Sequence, residues 1–283
     1  MVWKNSELRI TTLIENMPDE EGKLLAEHGL SLHIEFDGKR ILFDTGQTGD
    51  FVKNAEDLGI DLKDLDDIII SHGHYDHSGG VMTFLSEIEK PLPFYVGEGF
   101  FAPKYKHLSD GTYRYNGNPF TEQELSVEKA DLRRVTEDVT ELTDKILLFK
   151  NFPAVSGFEH KNEKFVLPDG DAYIVDSFGE EIALGLRTSK GLVLIVGCSH
   201  VGICNILQAV SSRVEEPIYA VLGGTHLMEA DEERLGKTME VFRKFGVQCV
   251  AVSHCTGEQG IALAKETFGE QFVLNNTGNK FVI

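Results

Sequence analysis

Apolar and polar positions alternate along this chain with two periods, and the changes of period mark its elements. Leu32 to Phe36 and Arg40 to Phe43 are β-rich runs flanking Asp37-Gly38, a pair suited to the left-handed turn of a tight hairpin. The second run ends in Asp44-Thr45-Gly46, and a helix is predicted next, with Phe51, Ala55 and Leu58 on one face and Gly59 near its end. Ile68-Ile69-Ile70 is β-branched throughout, which predicts a short strand buried on both faces. After Gly79-Gly80, Val81, Phe84, Leu85 and Ile88 recur at i, i+3, i+4 and i+7, an amphipathic helix closed by Pro91 and Pro93.

Residues 94 to 165 are less regular and hold twelve of the chain's 26 aromatic residues. Such a stretch is either an inserted cap over a site or a second core layer. Regularity returns at Ala183. Strands are predicted at Leu192–Val196, Ile218–Leu222 and Cys249–Val252. Helices follow them on Ile203, Ile206, Leu207 and Val210, then Leu235, Met239 and Phe242 with Gly246 as a stop, then Ile261, Ala264 and Phe268. No fixed-period repeat or low-complexity linker divides the 283 residues, so a single domain is expected, with the cap, if there is one, at about 94–165.

The composition, 41% hydrophobic and 26% charged, is that of a globular protein with ample material for a core. A net charge of −19 repels nucleic acid and anionic membranes and argues against a nuclease. Met1 to Glu20 has no apolar segment of a secretory leader, and no apolar run reaches the length of a membrane span. Cys198, Cys204, Cys249 and Cys255 are too few for a disulfide framework in a chain this long. A cytoplasmic protein with four free thiols is expected.

Chemistry concentrates in histidine. Six of the ten follow predicted strands: His72, His74 and His77 after Ile70, His200 after Val196, His226 after Leu222 and His254 after Val252. One strand-end histidine is unremarkable. Four separate segments delivering histidine to one crevice point to a shared metal site, because ligands gather beyond the strand ends of α/β sheets. His72 and His74 lie two apart, so an extended loop can aim both at one ion, while Asp76 and His77 are offset and could serve a second. Imidazole with carboxylate suits zinc, and also manganese or iron. His33, His107 and His160 have no pattern behind them.

His72-Gly73-His74-Tyr75-Asp76-His77-Ser78-Gly79-Gly80 resembles the His-x-His-x-Asp-His signature of the metallo-β-lactamase superfamily, and Asp44 matches its first motif, a structural aspartate. Four more segments, Glu27-His28-Gly29-Leu30-Ser31, Gly197 to Ile203, Gly223 to Leu227 and His254 to Gly257, resemble a subfamily named for pterin chemistry. Its activity condenses a dihydropterin pyrophosphate with a ribofuranosyl-aminobenzene phosphate. The resemblance implies an αββα sandwich with one or two divalent metal ions at one edge of the two sheets. It places His72 and His74 on a first metal, Asp76 and His77 on a second, and matches His254 to the last superfamily histidine. Two departures stand out. No Gly-His-Thr-x-Gly-His segment lies between Lys164 and Lys190, and Cys198 stands where many members carry a bridging aspartate. The zinc β-lactamases also place cysteine there, so Cys198 is a candidate thiolate ligand, with a small buried residue as the plain alternative. His200 is the candidate for the missing third histidine, and Cys255 is a weaker one.

The leading expectation is a hydrolase of a phosphoester: two metals would acidify a bridging water, which Asp76 would orient, with His226 protonating the leaving oxygen. In the tRNA-end-processing branch a histidine comparable to His226 has that role; ligation and plain structure are its alternatives here. The rival reading is the pterin-condensing transferase, with the 94–165 aromatics meeting a flat heterocycle and Lys104, Lys106 and Arg114 meeting phosphates. A non-catalytic metal-binding or redox protein is a third, weakened because no flavin domain like that of the superfamily's oxygen reductases is seen in this sequence. The expected partner is a small phosphorylated or aromatic substrate, not nucleic acid or membrane; nothing in the sequence indicates an oligomeric state.

Overall fold

In the strand Gly191–Val196, Leu192, Leu194 and Val196 face one hydrophobic cluster, and Val193 and Ile195 face another. A strand apolar at every position thus has two buried faces. The same division in the other half puts Ile69 on one side and Ile68 and Ile70 on the other. The shared cluster is the seam between two stacked sheets, and the outer clusters lie under helices, giving the αββα order of layers.

The computed structural model describes residues 7–283, so the reading of Met1 to Glu20 as leaderless rests partly on residues outside those described. The first sheet begins with β1 (Arg9–Ile14), β2 (Ser31–Phe36), β3 (Lys39–Phe43), β4 (Asp67–Ile69) and β5 (Leu92–Gly97). A short hairpin of β6 (Tyr105–His107) and β7 (Tyr113–Tyr115) follows, then β8 (Ala130–Val135) returns to the first sheet. β9 (Val139–Glu141) and β10 (Ile146–Phe149) start the second sheet, and β11 (Phe165–Asp169) and β12 (Ala172–Val175) join the hairpin. β13 (Ala183–Thr188), β14 (Gly191–Val196), β15 (Ile218–Gly224) and β16 (Cys249–Ser253) complete the second sheet, and β17 (Lys280–Val282) is an edge of the first. The orders are β17-β1-β2-β3-β4-β5-β8, β16-β15-β14-β13-β10-β9 and, for the small sheet, β12-β11-β6-β7.

The Asp37-Gly38 turn takes left-handed angles at both residues (φ 51° and 78°), which fixes the β2–β3 register of Phe36 opposite Lys39. Helices α1 (Asp50–Asp57) and α3 (Val81–Glu87) cover the first sheet, with a single turn, α2 (Tyr75–Ser78), between them. After the five-residue α4 (Glu122–Ser126), helices α5 (Ile203–Arg213), α6 (Glu232–Lys244) and α7 (Gly257–Phe268) cover the second sheet. β3, β4 and β5 run parallel, as do β14, β15 and β16, so the loops after these strands open on common edges. The aromatic-rich stretch is divided: β5, β8, β9 and β10 belong to the large sheets, while β6 and β7 pair with β11 and β12. All four cysteines are free. No helix among the described residues is long and apolar enough to cross a membrane.

Candidate metal centre

Four strand ends converge. Ser71 to His74 continue beyond β4 without helical structure, and the chain then makes the one-turn α2, which carries Asp76 and His77. His200 stands beyond β14, His226 beyond β15, and His254 directly after β16. Asp44, Ser199, His226 and His254, each just past a strand end, take left-handed backbone angles of 58°, 58°, 48° and 54°. This conformation costs a non-glycine residue about 1 kcal/mol or more, and such strain collects at functional sites. Glycines permit close approach: a Cβ on Gly197 would fall 2.0 Å from Ser71 Oγ, and one on Gly79 2.0 Å from the Gln47 carbonyl oxygen. Gly79 therefore lets α2 lie against the loop after β3.

The donors form two groups, Asp76, His77, Cys198 and His254 in one and His72, His74 and His200 in the other, with the ligand atoms of each group within 4.8 Å of one another. The groups keep His72 and His74 apart from Asp76 and His77, and they bring His200 to the first pair and Cys198 and His254 to the second. His77 Nε2 lies 3.1 Å from Cys198 Sγ and 3.2 Å from His254 Nε2. Asp76 Oδ2 is 3.3 Å from His254 Nε2 and 3.2 Å from His28 Nε2. In the second group His72 Nε2 is 3.2 Å from His74 Nδ1.

Hydrogen bonds behind the rings set which nitrogen is free. The Ser71 N–H and O–H donate to the two oxygens of the buried Asp44, at 2.7 and 2.8 Å. His77 Nδ1 stands 2.6 Å from Asp44 Oδ2, and a carboxylate only accepts, so Nδ1 carries the proton. Ser71 Oγ, its own proton committed to Asp44, accepts from His72 Nδ1 at 3.0 Å. His254 Nδ1 donates to Asn16 Oδ1 at 2.8 Å. The Nε2 lone pairs of His77 and His254 are thus left facing each other, an arrangement that needs a proton or a metal ion between them. Burial lowers the pKa of His77, but Asp44 and Asp76 outweigh it and raise it to about 9, so in metal-free protein the proton fills that place. Burial depresses His72, His74 and His200 well below the usual range and His254 to about 4, leaving them neutral as metal ligation requires. Burial works against ionisation of Asp76, but the charge on His77 and the hydrogen bond from His28 hold its pKa well down. Burial and neighbouring Cys255 push the Cys198 thiol up in the absence of a cation. His74 Nε2 and His200 Nε2 are buried without a hydrogen-bond partner. Paired lone pairs, orphaned nitrogens and imidazole, carboxylate and thiol donors all fit divalent metal.

His200 is held by stacking on Phe178, with centroids 4.0 Å apart and planes 4° from parallel. The buried Lys104 braces that loop, pairing with Asp176 at 2.6 Å and Glu180 at 2.7 Å. Lys104 is thereby engaged and absent from the walls of the cavity, contrary to the expectation that it meets phosphates with Lys106 and Arg114. Glu181 accepts from the backbone N–H groups of His200 and Val201, at 2.9 Å each, and burial raises its pKa to about 7. The sequence reading misses Asn16, Phe178 and Glu181. Asn16 follows a strand with no histidine near it, and the acidic pair Glu180-Glu181 looks like a solvated turn.

A cavity of about 110 Å³ opens over the donors, lined by His28, His74, Asp76, Cys198, His200 and His226 on its floor. Lys106, Arg114 and Phe165 of the small sheet line its wall. His226 is in neither donor group; its ring lies 4.4 Å from that of His200, and burial holds it at about 4. Cys255 also lines the cavity, its Sγ accepting from the His226 N–H at 3.3 Å.

Residues 26–203 match the sequence profile of the Metallo-beta-lactamase superfamily. The chain is 30% identical over 289 residues to the 7,8-dihydropterin-6-methyl-4-(beta-D-ribofuranosyl)-aminobenzene-5'-phosphate synthase of Methanocaldococcus jannaschii, covering 96% of this chain and 95% of that protein. A crystal structure of a metal-dependent hydrolase of the beta-lactamase superfamily superposes with a TM-score of 0.83 at 31% identity, over 97% of this chain and 98% of that one. The short form of human tRNase Z has the same fold, with a TM-score of 0.54 at 14% identity, over 96% and 98% of the two chains.

Proposed function

The chain belongs to the metallo-β-lactamase superfamily, and from that premise we propose that it is a metal-dependent synthase joining a dihydropterin pyrophosphate to a ribofuranosyl-aminobenzene phosphate. The observation that carries this reading is its likeness to the named synthase along nearly the whole length of both chains. His72, His74 and His200 would hold one ion and Asp76, His77, Cys198 and His254 the other, with zinc the metal that suits this donor set. Bound divalent cations supply charge neutralisation for a diphosphate leaving group.

The residues around them do the positioning. Asp44 and Asn16 fix the rings of His77 and His254 so that their Nε2 atoms face each other, 3.2 Å apart. His28 and His226 both line that cavity, and His226 faces substrate as a neutral imidazole able to take a hydrogen bond from an attacking amine. Phe165, centred 5.0 Å from His200 and 5.8 Å from His226, gives the wall an apolar face for a flat ring. The small sheet β12-β11-β6-β7, which supplies that wall, is the cap over the site.

The likeness to a structure described as a hydrolase supports a second reading, in which water in place of the amine displaces the same diphosphate. One experiment separates the two. Zinc-loaded protein is given the dihydropterin pyrophosphate with and without the aromatic amine, and pyrophosphate release and coupled product are measured by mass spectrometry. Release that requires the amine and yields a carbon–nitrogen product is expected. Release without amine would make the protein a hydrolase, and no release in either case would overturn both readings.

A further inference from the structure

Lys106 and Arg114 are direct partners across the β6–β7 pair, in an antiparallel register that puts Tyr105 opposite Tyr115 and His107 opposite Tyr113. Like charges directly opposite each other on a strand pair destabilise it. Among the described residues neither cation has a carboxylate within ion-pair distance, although the chain carries 46 Asp and Glu against 27 Lys and Arg. Glu229 lines the same cavity but is bound by Lys164 at 2.9 Å and Asn162 at 2.8 Å. Lys104, two residues before Lys106, meets two carboxylates, so this segment does pair its lysine where structure alone is served.

Both unpaired cations line the cavity that opens over the metal donors. Lys106 Nζ sits over the Phe165 ring, 5.4 Å from its centre, a cation–π contact that leaves its hydrogen-bond donors without a carboxylate. Arg114 is exposed on the neighbouring strand, so its guanidinium is free to swing over the opening. We propose that Lys106 and Arg114 form an anion clamp at the cavity mouth, and that it takes a terminal phosphate monoester of the substrate, separate from the diphosphate at the metals. Two cations of different shape suit this: guanidinium can grip two phosphate oxygens in its plane while ammonium acts as a point charge. The dianion also removes the cross-strand repulsion. The clamp rests on the proposed synthase reading only for the identity of the second substrate; the geometry asks for an anion in either case.

The test uses metal-loaded protein and ribose 5-phosphate as probe, with ribose as its uncharged control. Calorimetric titration should show binding of ribose 5-phosphate that is absent for ribose and weakens about tenfold or more in Lys106→Gln and in Arg114→Gln. Metal content should stay unchanged, and each variant alone should melt no lower than wild type, because one of two repelling charges is gone. Unchanged affinity in both variants would place the phosphate on the metals or elsewhere and overturn the clamp. The condensation assay keeps the two proposals apart. If coupling occurs but KM for the phosphorylated amine is insensitive to both substitutions, the clamp fails and the synthase stands; if coupling is absent while probe binding tracks Lys106 and Arg114, the reverse holds.

Discussion

His77 and His254, in the cluster with Asp76 and Cys198, are each fixed by a hydrogen bond on Nδ1, to Asp44 and Asn16 respectively. In the other cluster only His72 has such a brace, on Ser71 Oγ; His74 Nε2 and His200 Nε2 have no hydrogen-bond partner, and those two rings are held by other rings: Phe178 stacked on His200 and Phe165 5.2 Å from His74. The first cluster also contains the carboxylate and the thiol, whereas the second offers imidazole alone. A polar brace fixes tautomer and direction and raises ligand basicity; an aromatic brace fixes only the plane of the ring. The two halves of the centre should therefore differ in how they hold metal and in how they respond to mutation and to pH.

The sharpest break should come at Asp44. Asp44→Ala leaves the Ser71 N–H and the buried His77 without their acceptor, and loss of one partner from such a buried set costs about 3–5 kcal/mol. Chemical denaturation should show that loss, together with metal missing from the first cluster. A variant as stable as wild type would mean that Asp44 does not organise the site.

Asn16→Ala tests the same brace more gently. Removing the acceptor behind His254 should weaken metal binding by roughly 10- to 100-fold, as read by competition with a chromophoric chelator, with little effect on folding. Equal loss from both clusters would break the distinction drawn between them.

Phe178→Leu probes the aromatic brace. It removes a ring–ring contact worth about 0.5–1.5 kcal/mol, so the melting temperature should fall modestly, and one metal equivalent should leave more readily. If metal instead leaves the cluster containing Cys198, the assignment of His200 to the His72/His74 group is wrong.

The smallest effect is in pH. In metal-free protein His200 has a pKa below its unfolded value, so its contribution to stability is present above about pH 6.5 and is lost as pH falls. His77 is the opposite case: raised to about 9, it contributes fully below about pH 6.5 and loses that contribution as pH rises through 9. Replacing His200 by Asn should flatten the acid limb by up to about 1.4 kcal/mol per pH unit and leave the alkaline limb alone. Unfolding titrations of chelator-treated protein at several pH values would show whether the two limbs separate in this way.

Much of the architecture was legible because it is local. β-rich apolar runs became β2, β3, β14, β15 and β16, and the 3.6-residue stripes became α1, α3, α5, α6 and α7, with ends differing by a residue or two. β1 and β17 were not read as strands. β17 is three residues long, buried only at Phe281, and is a strand because β1 lies beside it. The small sheet was read only as aromatic irregularity, since β7 and β12 are exposed along their length and show no alternation.

The sequence by itself determined which residues could bind metal: histidine spacing within a motif and histidine position after a strand are both properties of the chain. It also marked strands buried on both faces, because a strand apolar at every position must be covered on both sides, while the order of the layers was implied by the resemblance. Tertiary structure decided the rest. Asn16 and His254 lie 238 residues apart, and the meeting of the loop after β1 with the end of β16 brings one behind the other. Lys104 and Lys106 look alike in the chain, yet folding buries one between Asp176 and Glu180 and turns the other toward the cavity beside Arg114. A side chain's type is written locally, but its partners and its desolvation are set by segments far away in the chain, and these are what fix its charge and its task.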